Sequence, residues 1–408
     1  MTLIRPFRAL RPAAGRAAEV IAPPYDVLSS AEARARAAGR PHSFLHVSKA
    51  EIDLEPGIDS HADAVYAAAA RNLAAMVADG VLVRDPRPAY YAYRLRMGSH
   101  VQTGIAATAS VAAYGAGRIR RHELTLPAKE SDRVRQIDAV NAQTGPVLLA
   151  CPDSDAFDAA IGAAIARAPC ADAVADDGIG HTLWLIDDAH AIGAIGAAVE
   201  AMPALYIADG HHRSAAAARV AAARGGAADA PHRYFLAVMF PRRQMRILDY
   251  NRVVRDLNGL GADAFLQRLQ TDFAIEPLAA RQAPGAPARF CLYLGGRWFR
   301  LTLRPESIPA ADPVARLDVS LLTDRVLAPI LGISDLRRDA RIDFVGGIRG
   351  LPELERRVDS GEMAAAFALH PTSIDDLMAV ADAGAVMPPK STWFEPKLAD
   401  GLVSHVLD

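Results

Sequence analysis

Cysteine is scarce in this 408-residue chain: Cys151, Cys170 and Cys291 are its only three, and they lie far apart. No CxxC pair occurs, which argues against a thiolate zinc site, and the low, odd count suits a reducing compartment without disulfides. Long apolar runs are missing as well. Nowhere do about 18 apolar residues follow one another, and the opening MTLIRPFRALRP has no signal-peptide core. The expectation is a cytoplasmic chain, neither secreted nor membrane-spanning. There is no excess of one charge: 45 Lys and Arg against 47 Asp and Glu leave a formal net charge of −2. That balance draws neither nucleic acid nor an acidic membrane, so any phosphate binding has to be local. The common nucleotide and hydrolase signatures are also absent. There is no GxxxxGK[ST], no strand-linked GxGxxG, no GxSxG and no HExxH, and FVGG (Phe344–Gly347) lacks a phosphate-loop lysine.

What is present is enough for a large core: 51% of residues are hydrophobic and 23% charged. From about 145 to 240, apolar strands such as PVLLAC, TLWLID, ALYIA and RYFLAVMF alternate with alanine-rich helices, which predicts α/β architecture. Before that stretch, SFLHVS (Ser43–Ser48) reads as a short strand, His61 to Asp79 as a helix, and Ala89 to Met97 as half of a hairpin. Pro127 reads as a break, with a helix starting at Ser131 or Asp132. Later, RFCLYL and RWFRLTL form a hairpin over Gly295-Gly296, and DVSLLTDRVLAPILG reads as one amphipathic helix. No long linker stands out, and the division expected around the motifs is 1–145 with PPYD and HE, 146–250 with ADGHHR and 251–408 ending in MPPKSTWFEPK.

The sharpest chemical signal is ADGHHR, Ala208 to Arg213. A strand ends at Ala208, Asp209 and Gly210 turn the chain, and His211, His212 and Arg213 begin a helix. A helix start presents unpaired N–H groups and the positive end of a dipole, hence a natural anion site. Arg213 can grip phosphate with two N–H groups, and Asp209 can hold a hydroxyl or Mg²⁺. RHELTLPAKESDR (Arg121–Arg133) gathers His122, Glu123, Lys129 and Arg133, with His122-Glu123 placed to supply a base and Lys129 and Arg133 to meet phosphate oxygens; a solvated charge run is the other reading. MPPKSTWFEPK (Met387–Lys397) offers Lys390, Ser391, Thr392 and Lys397 on a proline-stiffened loop, or is a strap for Trp393 and Phe394. PPYD adds Tyr25 and Asp26, and His46 reads more simply as a core histidine.

In this order, PPYD, SFLHV, HE with a downstream KxxDR, ADGHHR and MPPKSTWFEPK resemble domain-of-unknown-function family 1015 over nearly the whole chain. ADGHHR is also similar to the DGHHR motif of free L-serine kinases in the ParB/sulfiredoxin superfamily. The resemblance implies an α/β (α+β mixed) fold with a ParB/sulfiredoxin-like core around the strand–DGHHR–helix turn and large additional lobes. It implies a phosphotransferase making O-phospho-L-serine with pyrophosphate or a nucleotide as donor and Mg²⁺ in transit. Asp209, Glu123 and His211 would then be catalytic. His212, Arg213, Lys129, Arg133 and Lys390 would bind phosphate, and Tyr25, Asp26, His122, Ser391, Thr392 and Lys397 the substrate. No resident metal set and no nucleic-acid partner are expected, and the reading leaves room for a homodimer. Where the resemblance leads one to expect Tyr-His-Arg, this chain reads Tyr250-Asn251-Arg252. Two alternatives stay open: a ParB-like nucleotide-binding regulator, and a phosphatase or kinase acting on another small hydroxy compound.

Overall fold

A computed structural model describes residues 2–408. The chain parts into two compact units. The first comprises residues up to Met245 together with Pro396–Asp408, and the second runs from Arg246 to Glu395. The division expected at 145 falls inside the first unit, because one sheet draws strands from both sides of it.

That sheet has nine strands: β1 (Ile4–Arg5), β2 (Tyr90–Met97), β3 (His100–Ser110), β4 (Ile119–Arg120), β5 (Val147–Cys151), β6 (Ala171–Val174), β7 (Gly180–Ile186), β8 (Leu205–Asp209) and β9 (Tyr234–Pro241). Their order is β4-β8-β5-β9-β3-β2-β7-β6, with β1 on β3. It is a mixed sheet: β9 runs parallel to β5 and β4 parallel to β8, while β8 is antiparallel to β5 and β2–β3 is the expected hairpin. Its central strands β5 and β9 are buried along their whole length, which is why they read as unbroken apolar runs.

Five helices matter for the site or the core: α1 (Asp63–Ala78), α2 (Pro127–Val140), α3 (Asp155–Ile165), α4 (Ala189–Glu200) and α5 (His211–Arg224). Phe157 and Ile161 of α3 and Ile195 and Val199 of α4 share one apolar cluster with Leu149, Ile207 and Met239 of the sheet. Ala216 and Val220 of α5 pack on Ile137 of α2. Two local readings are corrected. Pro127 does not break α2 but starts it, at the first helical position where its missing N–H costs nothing. SFLHVS is not a strand: Leu45–Ser48 is a short helix whose Leu45 and Val47 are buried, a run too short for periodicity to decide.

The C-terminal segment returns to the first unit. Ser404–Val406 pairs with Ala9–Pro12 and with Ala142–Gln143 in a small four-stranded sheet. Just before it, Gly401 (φ 88°) turns so close to Phe44 that a β-carbon there would lie 2.7 Å from the Phe44 β-carbon.

The second unit holds a six-stranded antiparallel sheet of β10 (Tyr250–Val254), β11 (Phe273–Leu278), β12 (Arg289–Leu294), β13 (Arg297–Leu303), β14 (Ile342–Gly346) and β15 (Ala365–Leu369), in the order β11-β13-β12-β15-β10-β14. The expected single helix over DVSLLTDRVLAPILG is instead a five-residue helix, Asp318–Leu322, that widens into a π turn over Thr323–Leu327.

Candidate active site

The ADGHHR segment sits where β8 hands over to α5. The ladder between β8 and β5 shifts register between Ile207 and Asp209, a bulge that re-aims the Asp209 side chain as the strand ends. Gly210 then takes φ 97° and precedes the first helical residue, His211, with no side chain capping the helix. A β-carbon at Gly210 would sit 3.3 Å from Val147 Cα, so the turn is closed to larger residues by space as well as by dihedral. No side chain caps the N–H groups that open α5, which leaves them available to an anion.

Asp209 is flanked by two cations. Lys397 Nζ lies 3.3 Å and Arg213 Nη2 3.9 Å from its Oδ2. Burial alone raises a carboxyl's pKa, but Lys397 and Arg213 outweigh it and hold Asp209 well below the usual carboxylate range. It is therefore ionised at every physiological pH. Arg213 is buried. It donates to the Pro146 carbonyl and, at 3.2 Å, to Asp26. Burial works against its charge, and Asp26 and Asp209 more than restore it, so its pKa lies above the free value.

The two histidines of the motif are neutral. Burial, the largest effect, and the neighbouring His122 push His211 well below its ordinary pKa. Burial and then Lys129 lower His212. His211 Nε2 accepts the His122 backbone N–H at 3.4 Å, which leaves the ring proton on Nδ1, 3.7 Å from Glu123. His212 Nε2 accepts the Leu126 N–H at 3.1 Å, so its proton likewise sits on Nδ1. Both rings are thereby set as donors.

The other expected residues divide. In the first unit Arg213 and Lys397 meet Asp209, Asp26 and Tyr25 lie against Arg213, Arg133 lies against Tyr25, and Glu123 faces His211. Arg133 stacks 3.9 Å from the Tyr25 ring centroid and is paired with Asp132 at 2.6 Å. Lys129 is exposed on the first turn of α2, near enough to His212 to lower its pKa. His122 departs from its expected role. It is 2% exposed, edge-on to His211 with ring centroids 4.5 Å apart, and burial lowers it to about 4. It braces His211 from behind and has no surface to offer a substrate. Lys390, Ser391 and Thr392 belong to the second unit. There Ser391 Oγ donates to Pro388 O at 2.6 Å, so its hydroxyl is spent on its own loop, while Lys390 Nζ lies 5.6 Å from the Tyr250 ring centroid. Asn251 is fully buried and accepts the Leu369 N–H at 2.9 Å, a structural place in the sheet.

The family described as "Protein of unknown function (DUF1015)" matches residues 4–320. The chain belongs to that family. Among solved structures, a free serine kinase in complex with AMP is 11% identical, with 71% of this chain and 86% of that chain covered and a TM-score of 0.37. A conserved hypothetical protein from Pyrococcus furiosus is 12% identical, covering 73% and 94%, with a TM-score of 0.37. SbnI with a C-terminal truncation from Staphylococcus aureus is 14% identical, covering 73% and 86%, with a TM-score of 0.32. No curated protein matches the chain. In this DUF1015 protein, no described helix is long and apolar enough to cross a membrane.

One residue of the DUF1015 site escaped the sequence reading. Asp400 is 1% exposed, and no side chain hydrogen-bonds to either of its carboxylate oxygens. Burial is the main cause that pushes its pKa up to about 7, with Asp26 adding and Arg213, Arg133 and the Tyr25 amide opposing. In the sequence it is the Asp of a plain Asp-Gly turn, and nothing local marks it.

Proposed function

We propose that this chain is a phosphotransferase that phosphorylates the hydroxyl of free L-serine, with pyrophosphate or a nucleotide as donor. One observation carries the reading. An ionised carboxylate held between Lys397 and Arg213 stands one residue before an uncapped helix start that also presents two neutral histidines. That is a hydroxyl acceptor beside an anion cradle, and the likeness of the motif to DGHHR kinases names the reaction.

Phosphoryl transfer asks for alignment and charge neutralisation more than for strong bases. Asp209 is too acidic to be a strong base, so its part is to accept the serine hydroxyl's hydrogen bond and aim its oxygen. The N–H groups of the α5 start, Arg213 and the His212 Nδ1–H hold the donor's terminal phosphoryl, and Lys129 neutralises charge at the leaving oxygen. The bond from serine oxygen to phosphorus forms as the bond from phosphorus to the leaving phosphate breaks. The hydroxyl proton departs by way of Asp209 and Glu123 to water. His211, with its Nδ1–H towards Glu123, keeps that carboxylate in place.

Among the described residues, no three His, Cys, Asp or Glu side chains converge to ligate a cation, and Asp209 already faces two positive groups. The site does not by itself fit Mg²⁺, which would enter on the donor's phosphates, and no step above runs through it.

Phosphorus NMR on the full chain with Mg²⁺, L-serine and either pyrophosphate or ATP tests the proposal. A phosphoserine resonance should grow as the donor's signal falls. Donor consumption that yields only orthophosphate would make the protein a phosphatase, and an unchanged spectrum with both donors would sink the reading.

A further inference from the structure

Behind Arg213 lies a half-enclosed niche of ≈ 30 Å³, lined among others by Tyr25, Arg133, Thr144, Gly145, Arg213 and Asp400. Two buried polar groups on its wall lack a side-chain hydrogen-bond partner: the carboxylate of Asp400 and the Nε of Arg213. Burial pushes the Asp400 pKa up to about 7, and a positive group in the niche would relieve that cost of ionisation. The space between the two groups is kept open by Gly145. A β-carbon there would lie 3.3 Å from Asp400 Oδ1 and 3.4 Å from Arg213 Cδ.

We infer that Asp400 is an ammonium-recognising residue, which selects acceptors carrying a primary amine next to the hydroxyl. This deepens the proposal that the site phosphorylates a small hydroxy amino acid, and it rests on that reading. The niche is too small for a whole amino acid but takes a water-sized group, and –NH3⁺ is water-sized. Every neighbouring carboxylate already has a cation: Asp26 and Asp209 have Arg213, Asp209 also has Lys397, and Asp132 has Arg133. Asp400 alone lacks a hydrogen-bonded positive partner, and an ammonium group brings the donors its two oxygens want. Arg213 touches Asp209 with its other end, so one side chain joins the amine niche to the carboxylate that aims the hydroxyl.

The test is calorimetric titration of the full chain with three probes, each with and without saturating pyrophosphate. These are L-serine, ethanolamine (amine and hydroxyl, no carboxylate) and glycolate (carboxylate and hydroxyl, no amine). The wild type should bind serine and ethanolamine more tightly than glycolate. Asp400→Asn keeps the shape and removes the charge, and should weaken both amines by about tenfold or more while leaving glycolate unchanged. Gly145→Ala, which narrows the niche without removing a charge, should show the same selective loss. Equal losses for all three probes, no loss, or a wild type that prefers glycolate or binds no amine would each overturn the assignment. The two proposals fail separately. Selective amine binding without phosphoserine formation would leave the niche standing and remove the kinase, and transfer to an amine-free hydroxyl would do the reverse.

Discussion

Two of the buried arginines, Arg213 in the first unit and Arg252 in the second, are kept charged in opposite ways. Arg213 sits among Asp26, Asp209 and Asp400, and its pKa is raised. Arg252 is fully buried with no carboxylate beside it. It donates to the carbonyls of Tyr250 and Lys390 and lies 5.1 Å from the Phe344 ring centroid, and burial drags its pKa down to about 9. The first has exchangeable anionic partners, which an incoming phosphate can replace or join. The second has only fixed carbonyl dipoles and ties the Pro389–Lys390 turn to β10. A buried cation is therefore not a functional signal in itself; what surrounds it decides.

Three variants sharpen that contrast. The largest effect is expected at Asp209. Asp209→Asn keeps the turn but removes the charge that aims the acceptor, and phosphoserine formation should fall on the order of 10²–10⁴-fold in a steady-state assay. Full activity would show the carboxylate to be a structural partner of Arg213 and nothing more. Next, Arg252→Met should cost about 2–4 kcal/mol of stability in denaturant unfolding, because buried carbonyls lose their donor. A neutral result would mean that those carbonyls find other partners and that Arg252 is no strut.

The smallest effect depends on pH. Asp400 titrates near 7 in the fold against a reference of 3.8, so the folded state holds a proton that the unfolded chain has already lost. The stability this lends is complete below about pH 4 and is lost as pH rises through 7. Asp400→Asn does not titrate. Relative to wild type it should gain a few degrees, roughly 3–8 °C, in Tm at pH 8 and clearly less at pH 5. A gap that is the same at both pH values would contradict a strained carboxylate in the niche.

How much of this was legible in the sequence follows from how local each feature is. The ADGHHR turn was readable because strand, turn glycine and helix start are adjacent in the chain and each has its own chemistry. The β2–β3 hairpin was readable for the same reason. SFLHVS and Pro127 misled, since a six-residue apolar run and a proline each fit two local structures and packing chose between them. The MPPKSTWFEPK motif reads as one loop but is shared between units: Lys390, Ser391 and Thr392 lie in the second, and Lys397 reaches Asp209 in the first. Asp400 was invisible because its meaning comes from Arg213, Gly145 and Asp26, all far away in sequence.

The central claim is that the β8–α5 turn cradles a phosphoryl group through Arg213. Calorimetric titration of pyrophosphate into the wild-type chain and into Arg213→Lys asks this most directly, since lysine keeps the charge but loses the two-pronged grip. The account predicts binding to the wild type that is weakened about tenfold or more in the variant. Equal affinity for the two, or no binding of pyrophosphate or ATP to the wild type, would contradict it.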